Sequence, residues 1–279
     1  MPDIEIDLSA DAAADAIAGG RPLLGEGALS CETDDISAEL QRLARNLADT
    51  SVEGSPAQRT GERLAAGGAE RIDVAPILQS ALDGDTEAIA RAANERDLDP
   101  DAFARLLELA LQPILWEAAE RCTALTDVDK WDRGYCPICG AWPALAELVG
   151  AEKRRVLRCG RCGISWSWLV LLCPYCGNDD HRTLGTLVST EERPGPASPS
   201  RAEPPSKDRV DVCEHCHGYL KAIATFTSVA AVRLAAEDAG TVHLDIGARA
   251  AGYTRPGTVD VSTAGIPRLV REGRGAPDD

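Results

Sequence analysis

The chain has 279 residues, enough for two domains of ordinary size, and its 44% hydrophobic content allows a real core. A net charge of −16 speaks against a partner held by cations alone, and no apolar run is long enough to span a bilayer. The acidic start MPDIEIDLSADAAADAIAGG lacks the basic stretch of an export signal, so a cytoplasmic protein without a membrane partner is expected.

Residues 1–30 are Gly-, Ala- and Asp-rich with little periodicity and read as a mobile segment. Residues 31–130 read as an α-helical domain. In DDISAELQRLARNLADTS, Ile36, Leu40, Leu43 and Leu47 recur at helical spacing, with Asp34 or Asp35 as cap. IDVAPILQSALDGD and DTEAIARAANERDL predict two more short helices. A longer one starts at Asp99 as N-cap with Pro100 at N1, and its core stripe is Phe103, Leu106, Leu107, Ala110, Leu111, Ile114 and Leu115. Pro113 is expected to kink or split it. From residue 131 helical periodicity stops. Short β-like runs follow: PALAELV, RRVLRC, SWSWLVLL, TLGTLV, RVDVC and YLKAIATF. Residues 189–208 hold five prolines and read as a flexible insertion. A helix weakened by Gly240 and Gly247 is expected near 235–252, and a polar tail over 270–279.

Charge is uneven: −17 over residues 1–129, +3 over 130–188 and −2 over 189–279. Arginine outnumbers lysine 25 to 4. Either a high-salt cytoplasm or a GC-rich genome accounts for this composition.

Eight of the ten cysteines form four C-x2-C pairs, which in a chain of this length without an export signal reads as metal binding. Nineteen residues separate Cys136/Cys139 from Cys159/Cys162; ten more lead to Cys173/Cys176, and 36 more to Cys213/Cys216. Two such knuckles facing each other make a tetrahedral four-sulfur site. Gly140, Gly163 and Gly177 suit the tight turn after three of them. The chain also repeats. CPICG climbs through ALAELV and returns by RRVLRCGRC; CPYCG climbs through RTLGTLV and returns by RVDVCEHC. This predicts one site from Cys136, Cys139, Cys159 and Cys162 and another from Cys173, Cys176, Cys213 and Cys216, with the apolar run between them as a joining strand. An interleaved pairing stays open. Such a site supplies roughly 10–16 kcal/mol of folding energy at neutral pH. Four thiolates suit Zn²⁺, the default for this ribbon, and iron equally. Arg154, Arg155, Arg158 and Arg161 either offset the thiolate charge at the first site or form a solvated basic face.

The motifs GYCPICGAWP, RVLRCGRCGISW, CPYCG and CEHCHGYLKAI together resemble the formate dehydrogenase accessory (maturation) protein family. Trp166 four residues after Cys162, and Tyr219-Leu220-Lys221 after Cys216, belong to the resemblance, which covers about residues 131–225. It implies a helical domain followed by two rubredoxin-like iron sites, with these eight cysteines as ligands. It also implies a role on the catalytic subunit of a molybdenum- or tungsten-dependent formate dehydrogenase. The chain departs from the family at Val170, where a basic residue is usual, and in its long Pro-rich insertion.

The expected fold is therefore α+β: a mobile segment (1–30), a helical domain (31–130), and two tandem rubredoxin-like or zinc-ribbon β units (131–172 and 173–226). A C-terminal strand, short helix and tail (227–279) close the chain. No phosphate loop, zincin motif or nucleophile elbow is present, and a closed four-thiolate site leaves no open coordination position, so no enzymatic activity is expected. The alternative is a double zinc ribbon that binds nucleic acid or serves transcription. Ionisation of six cysteines erases the small basic excess of 130–188, and the acidic helical domain repels phosphate, which disfavours that alternative. Cys122 is expected as a buried helix residue; His215 and His217 flank Cys216 as lesser candidate ligands. His181 and His243 are expected in solvent or core.

Overall fold

The computed structural model describes residues 4–25, 28–31, 33–68, 74–83, 85–189, 208–255 and 269–271. The chain divides into a helical unit (residues 1–15 and 23–126) and a ribbon unit (16–22 and 127–279).

In the helical unit, β1 (Ile4–Ile6) pairs antiparallel with β2 (Leu29–Cys31); α1 (Ala10–Ala18) lies between them in sequence, and its last three residues are counted with the ribbon unit. The expectation of a patternless first 30 residues missed these elements. They are short, and α1 is so Ala-rich that its buried stripe, Ala13, Ala16 and Ile17, does not stand out from the alanines around it. Then come α2 (Thr33–Thr50), α3 (Pro56–Arg63), α4 (Val74–Asp83), α5 (Thr86–Asn94) and α6 (Pro100–Thr123). In α2 the buried residues Ile36, Leu40 and Ala44 recur every fourth position and make its inward face. Sequence periodicity did not reveal α3, yet it starts by rule: the Ser55 side chain accepts from Gln58 N–H, and Pro56 opens the helix. It continues into one wider π turn, Leu64–Gly68. Gly61 packs against the α2 backbone, where a Cβ would lie 2.6 Å from both the Ala44 oxygen and the Ala48 nitrogen.

Helix α6 begins where predicted. The Asp99 carboxylate accepts from Ala102 N–H at 2.9 Å, and Asp99 N–H donates to the buried Thr60 hydroxyl at 2.8 Å. The whole predicted stripe from Phe103 to Leu115 is buried, and it extends through Ala118, Ala119 and Cys122. Pro113 does not split the helix. An interior proline costs about 3 kcal/mol, but buried side chains on both sides of it, Leu111 before and Ile114 and Leu115 after, hold the two halves as one element.

The ribbon unit is built on one seven-stranded sheet, ordered β5-β4-β3-β8-β7-β6-β9. The first ribbon is β3 (Pro143–Val149), β4 (Arg154–Cys159) and β5 (Ser165–Ser167); the second is β6 (Leu184–Ser189), β7 (Asp208–Cys213) and β8 (Tyr219–Thr225). Each is an antiparallel meander. They join through β3 and β8, which pair in parallel in the register Ala146↔Ala222 to Val149↔Thr225. Strand β9 (Leu269–Arg271), within the expected tail region, pairs with β6.

The run SWSWLVLL is a strand only over its first three residues. Beyond Ser167, Trp168 N–H still donates to the Arg155 carbonyl at 3.2 Å, and then the chain turns, with the Arg155 guanidinium taking up the carbonyls of Leu169, Val170 and Leu172. The expected C-terminal helix is present as two short segments, α7 (Ala231–Gly240) and α8 (Val242–Ala250), with Gly240 at the break and Gly247 buried in the second. Leu244 and Ala248 of α8 pack with Leu187, Val210, Val212 and Tyr219 of the second ribbon. The Pro-rich insertion lies outside the described residues save at its ends.

Candidate metal centres

Each C-x2-C pair occupies the same backbone turn. The first cysteine's N–H donates to the carbonyl five residues on: Cys136 to Ala141, Cys159 to Ile164, Cys173 to Asn178 and Cys213 to Gly218, all at 2.9–3.0 Å. The residue after the second cysteine has a left-handed φ: 72° at Gly140, 74° at Gly163, 70° at Gly177. In the fourth knuckle His217 takes that place at φ 54°, a region uncommon for any residue but glycine, though histidine enters it more readily than most. The second ribbon thus pays a local strain that glycine avoids in the other three. His217 is fixed there by Thr254, whose N–H donates to its carbonyl at 2.7 Å.

The knuckles meet in consecutive pairs, not interleaved ones. One group is Cys136, Cys139, Cys159 and Cys162; the other is Cys173, Cys176, Cys213 and Cys216. Within each group all four sulfurs lie within 4.8 Å of one another. The Sγ–Sγ separations are 3.4 Å (Cys136–Cys162) and 3.5 Å (Cys139–Cys159) in the first. They are 3.7 Å (Cys173–Cys216) and 3.8 Å (Cys176–Cys213) in the second. A tetrahedral ion with metal–sulfur bonds of about 2.3 Å sets sulfurs about 3.8 Å apart, so either group could hold a metal ion. A disulfide, at about 2 Å, is excluded for these pairs. His215 and His217 are exposed and belong to neither group. Cys122 is buried in α6 and Cys31 lies in β2. His181 is exposed and His243 half-buried.

The environments differ. Three cysteines of the first group are buried and Cys139 is half-buried; in the second Cys176 is exposed and Cys216 half-buried. Burial drives the Cys136 and Cys162 thiols well above their ordinary range. Hydrogen bonds from Cys136, Cys159 and Cys162, with the nearby Arg161 charge, lower Cys139. Burial also raises Cys173, and takes Cys216 up to about 11. Protons therefore compete with any ion at these sulfurs, and acid favours the protonated group. Backbone and side-chain donors point at the sulfurs: Ile138 N–H to Cys136 and Cys162 N–H to Cys159, both at 3.4 Å, and the Asn178 amide to Cys213 at 3.5 Å.

The arginines answer to neither expectation as a set. Arg155 and Arg158 are buried, yet paired with carboxylates rather than facing solvent or sulfur. Arg158 meets the fully buried Glu147 at 2.6 Å and donates to the carbonyls of Val229 and Gly163, the second of these inside the knuckle turn. Arg155 meets Asp211 at 3.1 Å. Arg154 is exposed. Sequence reading missed Glu147 and Asp211; each is a charged residue within an apolar strand, and that was the available signal.

Tyr219 and Lys221, which carry part of the family motif, hold the C-terminal helices. The Tyr219 hydroxyl donates to Asp245 at 2.9 Å. The fully buried Lys221 ammonium meets Asp238 and Asp245, each at 2.6 Å, and Arg255 joins the same carboxylates at 3.3 and 3.4 Å. A row of edge-to-face aromatic contacts, Trp131–Tyr135–Trp142–Tyr175, runs from the first knuckle to the third at centroid spacings of 5.4, 5.9 and 5.5 Å.

No family model matches the chain. Curated relatives do. The Protein FdhE homolog of Aquifex aeolicus is 27% identical over 166 residues, 58% of this chain and 52% of that protein. The Protein FdhE homolog of Shewanella baltica (strain OS185) is 28% identical over 123 residues, 43% of this chain and 36% of that protein. The chain resembles the FdhE family of formate dehydrogenase accessory proteins. The aligned part spans about half, or less, of these FdhE homologs' length. The crystal structure of the FdhE protein from Pseudomonas aeruginosa aligns with a TM-score of 0.51 at 21% identity, over 88% of this chain and 75% of that one. That likeness speaks to the fold, mixed helix and sheet with two four-cysteine groups.

Proposed function

We propose that this chain is a non-catalytic accessory (maturation) factor for formate dehydrogenase. In this reading the eight cysteines ligate two metal ions, and the ribbon unit so stiffened binds the catalytic subunit of a molybdenum- or tungsten-dependent enzyme in the cytoplasm. The observation that carries the reading is the pair of four-sulfur groups in a chain similar to FdhE homologs. An ion held by four thiolates has no vacant position for substrate, so its contribution is structural or redox. The chain's own residues do the rest: the knuckle turns aim the sulfurs, and Glu147–Arg158 and Lys221 with its two aspartates tie the sheet to the segments that follow it. Among the described residues no helix is long and apolar enough to cross a membrane.

Burial of Arg155 and Arg158 in ion pairs removes two of the cations on which a nucleic-acid interface would depend. The test is affinity purification of the full chain with metal analysis. Recovery of a formate dehydrogenase catalytic chain, with two iron or zinc ions per monomer, supports the proposal. Tight low-salt binding to random DNA or RNA, with no such chain recovered, overturns it.

A further inference from the structure

The fourth knuckle is braced from outside. His217 holds the left-handed position that glycine fills in the other three, and Thr254, beyond the end of α8, grips the turn from both sides. Thr254 N–H donates to the His217 carbonyl at 2.7 Å, and its own carbonyl accepts from Tyr219 N–H at 2.9 Å. Gly218, between them, forms a parallel bridge with Thr254. A Cβ at Gly218 would lie 3.1 Å from the Cys216 sulfur and 2.7 Å from the Tyr175 ring, so the stretch that receives Thr254 rests against the second sulfur group and the third knuckle. The Tyr175 hydroxyl donates to the Tyr219 carbonyl at 3.0 Å and ties that knuckle to the same stretch.

Helices α7 and α8 depend on the same point. Their buried side chains are few, Leu234 in α7 and Leu244 and Ala248 in α8, and neither has a side-chain hydrogen bond at its N-cap. At ten and nine residues both fall short of the roughly 12–15 that an isolated helix needs. Charge holds them: Lys221 meets Asp238 of α7 and Asp245 of α8, Arg255 meets the same two carboxylates, and the Tyr219 hydroxyl donates to Asp245. Tyr219 and Lys221 begin β8 directly after the fourth knuckle, and Arg255 directly follows Thr254. The turn that carries Cys213 and Cys216 therefore sets where these anchors stand.

Resting on the reading of the second sulfur group as an ion site, we propose that its occupancy governs the docking of residues 231–255 on the second ribbon. An ion that gathers the four sulfurs fixes the His217 carbonyl and the Tyr219 N–H at the spacing Thr254 needs. Without it nothing ties the third and fourth knuckles at their sulfurs, the left-handed turn at His217 relaxes, and Thr254 and Arg255 lose their seats. Helices α7 and α8 then lift away and bare Leu187, Val210, Val212 and Tyr219, which Leu244 and Ala248 cover when docked. The coupling is reciprocal: a segment that cannot dock weakens the hold on the ion by the same factor.

Hydrogen–deuterium exchange on the full chain loaded with Zn²⁺ tests this. Cys176→Ser combined with Cys213→Ser empties the second group; where that variant does not fold, wild type titrated with chelator to one Zn²⁺ gives the same comparison. Exchange over residues 231–255 should rise about tenfold or more on emptying, while residues 143–167 stay protected. Thr254→Pro, at an exposed position, removes the N–H that braces His217, and Arg255→Gln removes one anchor. Both should lose the second Zn²⁺ at about tenfold lower chelator concentration than wild type and keep the first. Unchanged exchange over 231–255, equal loss of protection in the first ribbon, or wild-type Zn²⁺ retention by both single variants overturns the proposal. If wild type never takes up a second Zn²⁺, the reading of the second group falls and the proposal with it. If it takes up two and residues 231–255 are indifferent to the second, the proposal alone fails and the ion site stands.

Discussion

Gly134 lies directly against Pro174: a Cβ at Gly134 would overlap the Pro174 carbonyl. One residue precedes the first knuckle by two positions and the other sits within the third, so the first and third knuckles touch through backbone. The aromatic pair Trp142–Tyr175 closes the same contact. Gly134→Ala is therefore expected to destabilise the ribbon unit by at least about 2 kcal/mol, because neither backbone can yield without moving a knuckle. Gly150→Ala serves as control; its φ of 73° is strained for alanine but nothing crowds it. Urea unfolding followed by tryptophan fluorescence measures both, and equal effects would show the contact to be unimportant.

The two sulfur groups are expected to give up their ions at different rates. Cys176 is exposed while three of the first four cysteines are buried. With a strong chelator, release monitored by native mass spectrometry should show two phases, the faster from the second group. Cys213→Ser should abolish only the fast phase. A single phase, or loss of the slow one instead, contradicts this ordering.

Arg158 and Glu147 form an ion pair with both side chains removed from solvent. Arg158→Met leaves Glu147 buried without its cation, which should cost about 3–5 kcal/mol. Glu147→Leu together with Arg158→Met should recover part of the loss, since neither charge is then stranded. A single-variant loss under about 1 kcal/mol, by urea unfolding, would mean that water reaches the pair.

Burial raises the Cys122 thiol from 9.0 to about 11. Below pH 9 the thiol is protonated folded and unfolded, and its contribution is whole. Between about 9 and 11 only the unfolded chain loses the proton, so stability falls as pH rises. The difference between wild type and Cys122→Ala should show this alkaline limb, and parallel curves for the two would rule it out.

In the helical unit, Gly61→Ala should cost about 1–3 kcal/mol, because the added methyl meets the α2 backbone at Ala44 and Ala48. Thermal unfolding of the full chain reads it. An unchanged midpoint would mean that the two helices separate without penalty.

Much of the site was legible before the structure. The four C-x2-C spacings and the repeat predicted which knuckles meet, because local turn geometry and a hairpin's return are short-range matters. The strands PALAELV and RRVLRC and the start of α6 at Asp99 followed from alternation and capping. Less was legible where pattern is weak: β1, β2 and α3 are short with few apolar residues, and in α1 the buried Ala13, Ala16 and Ile17 are masked by neighbouring alanines.

Sequence by itself determined the inward face of α6, since helical period admits few alternatives, and favoured consecutive pairing of the knuckles, while the structure decided against the interleaved one. Only the tertiary structure decided that the two ribbons share one sheet through β3 and β8, that Arg155 and Arg158 turn inward, and that Leu169–Leu171 turn outward. Those outcomes depend on partners distant in the chain, Asp211 for Arg155 and Val229 for Arg158, whose meeting no local rule encodes.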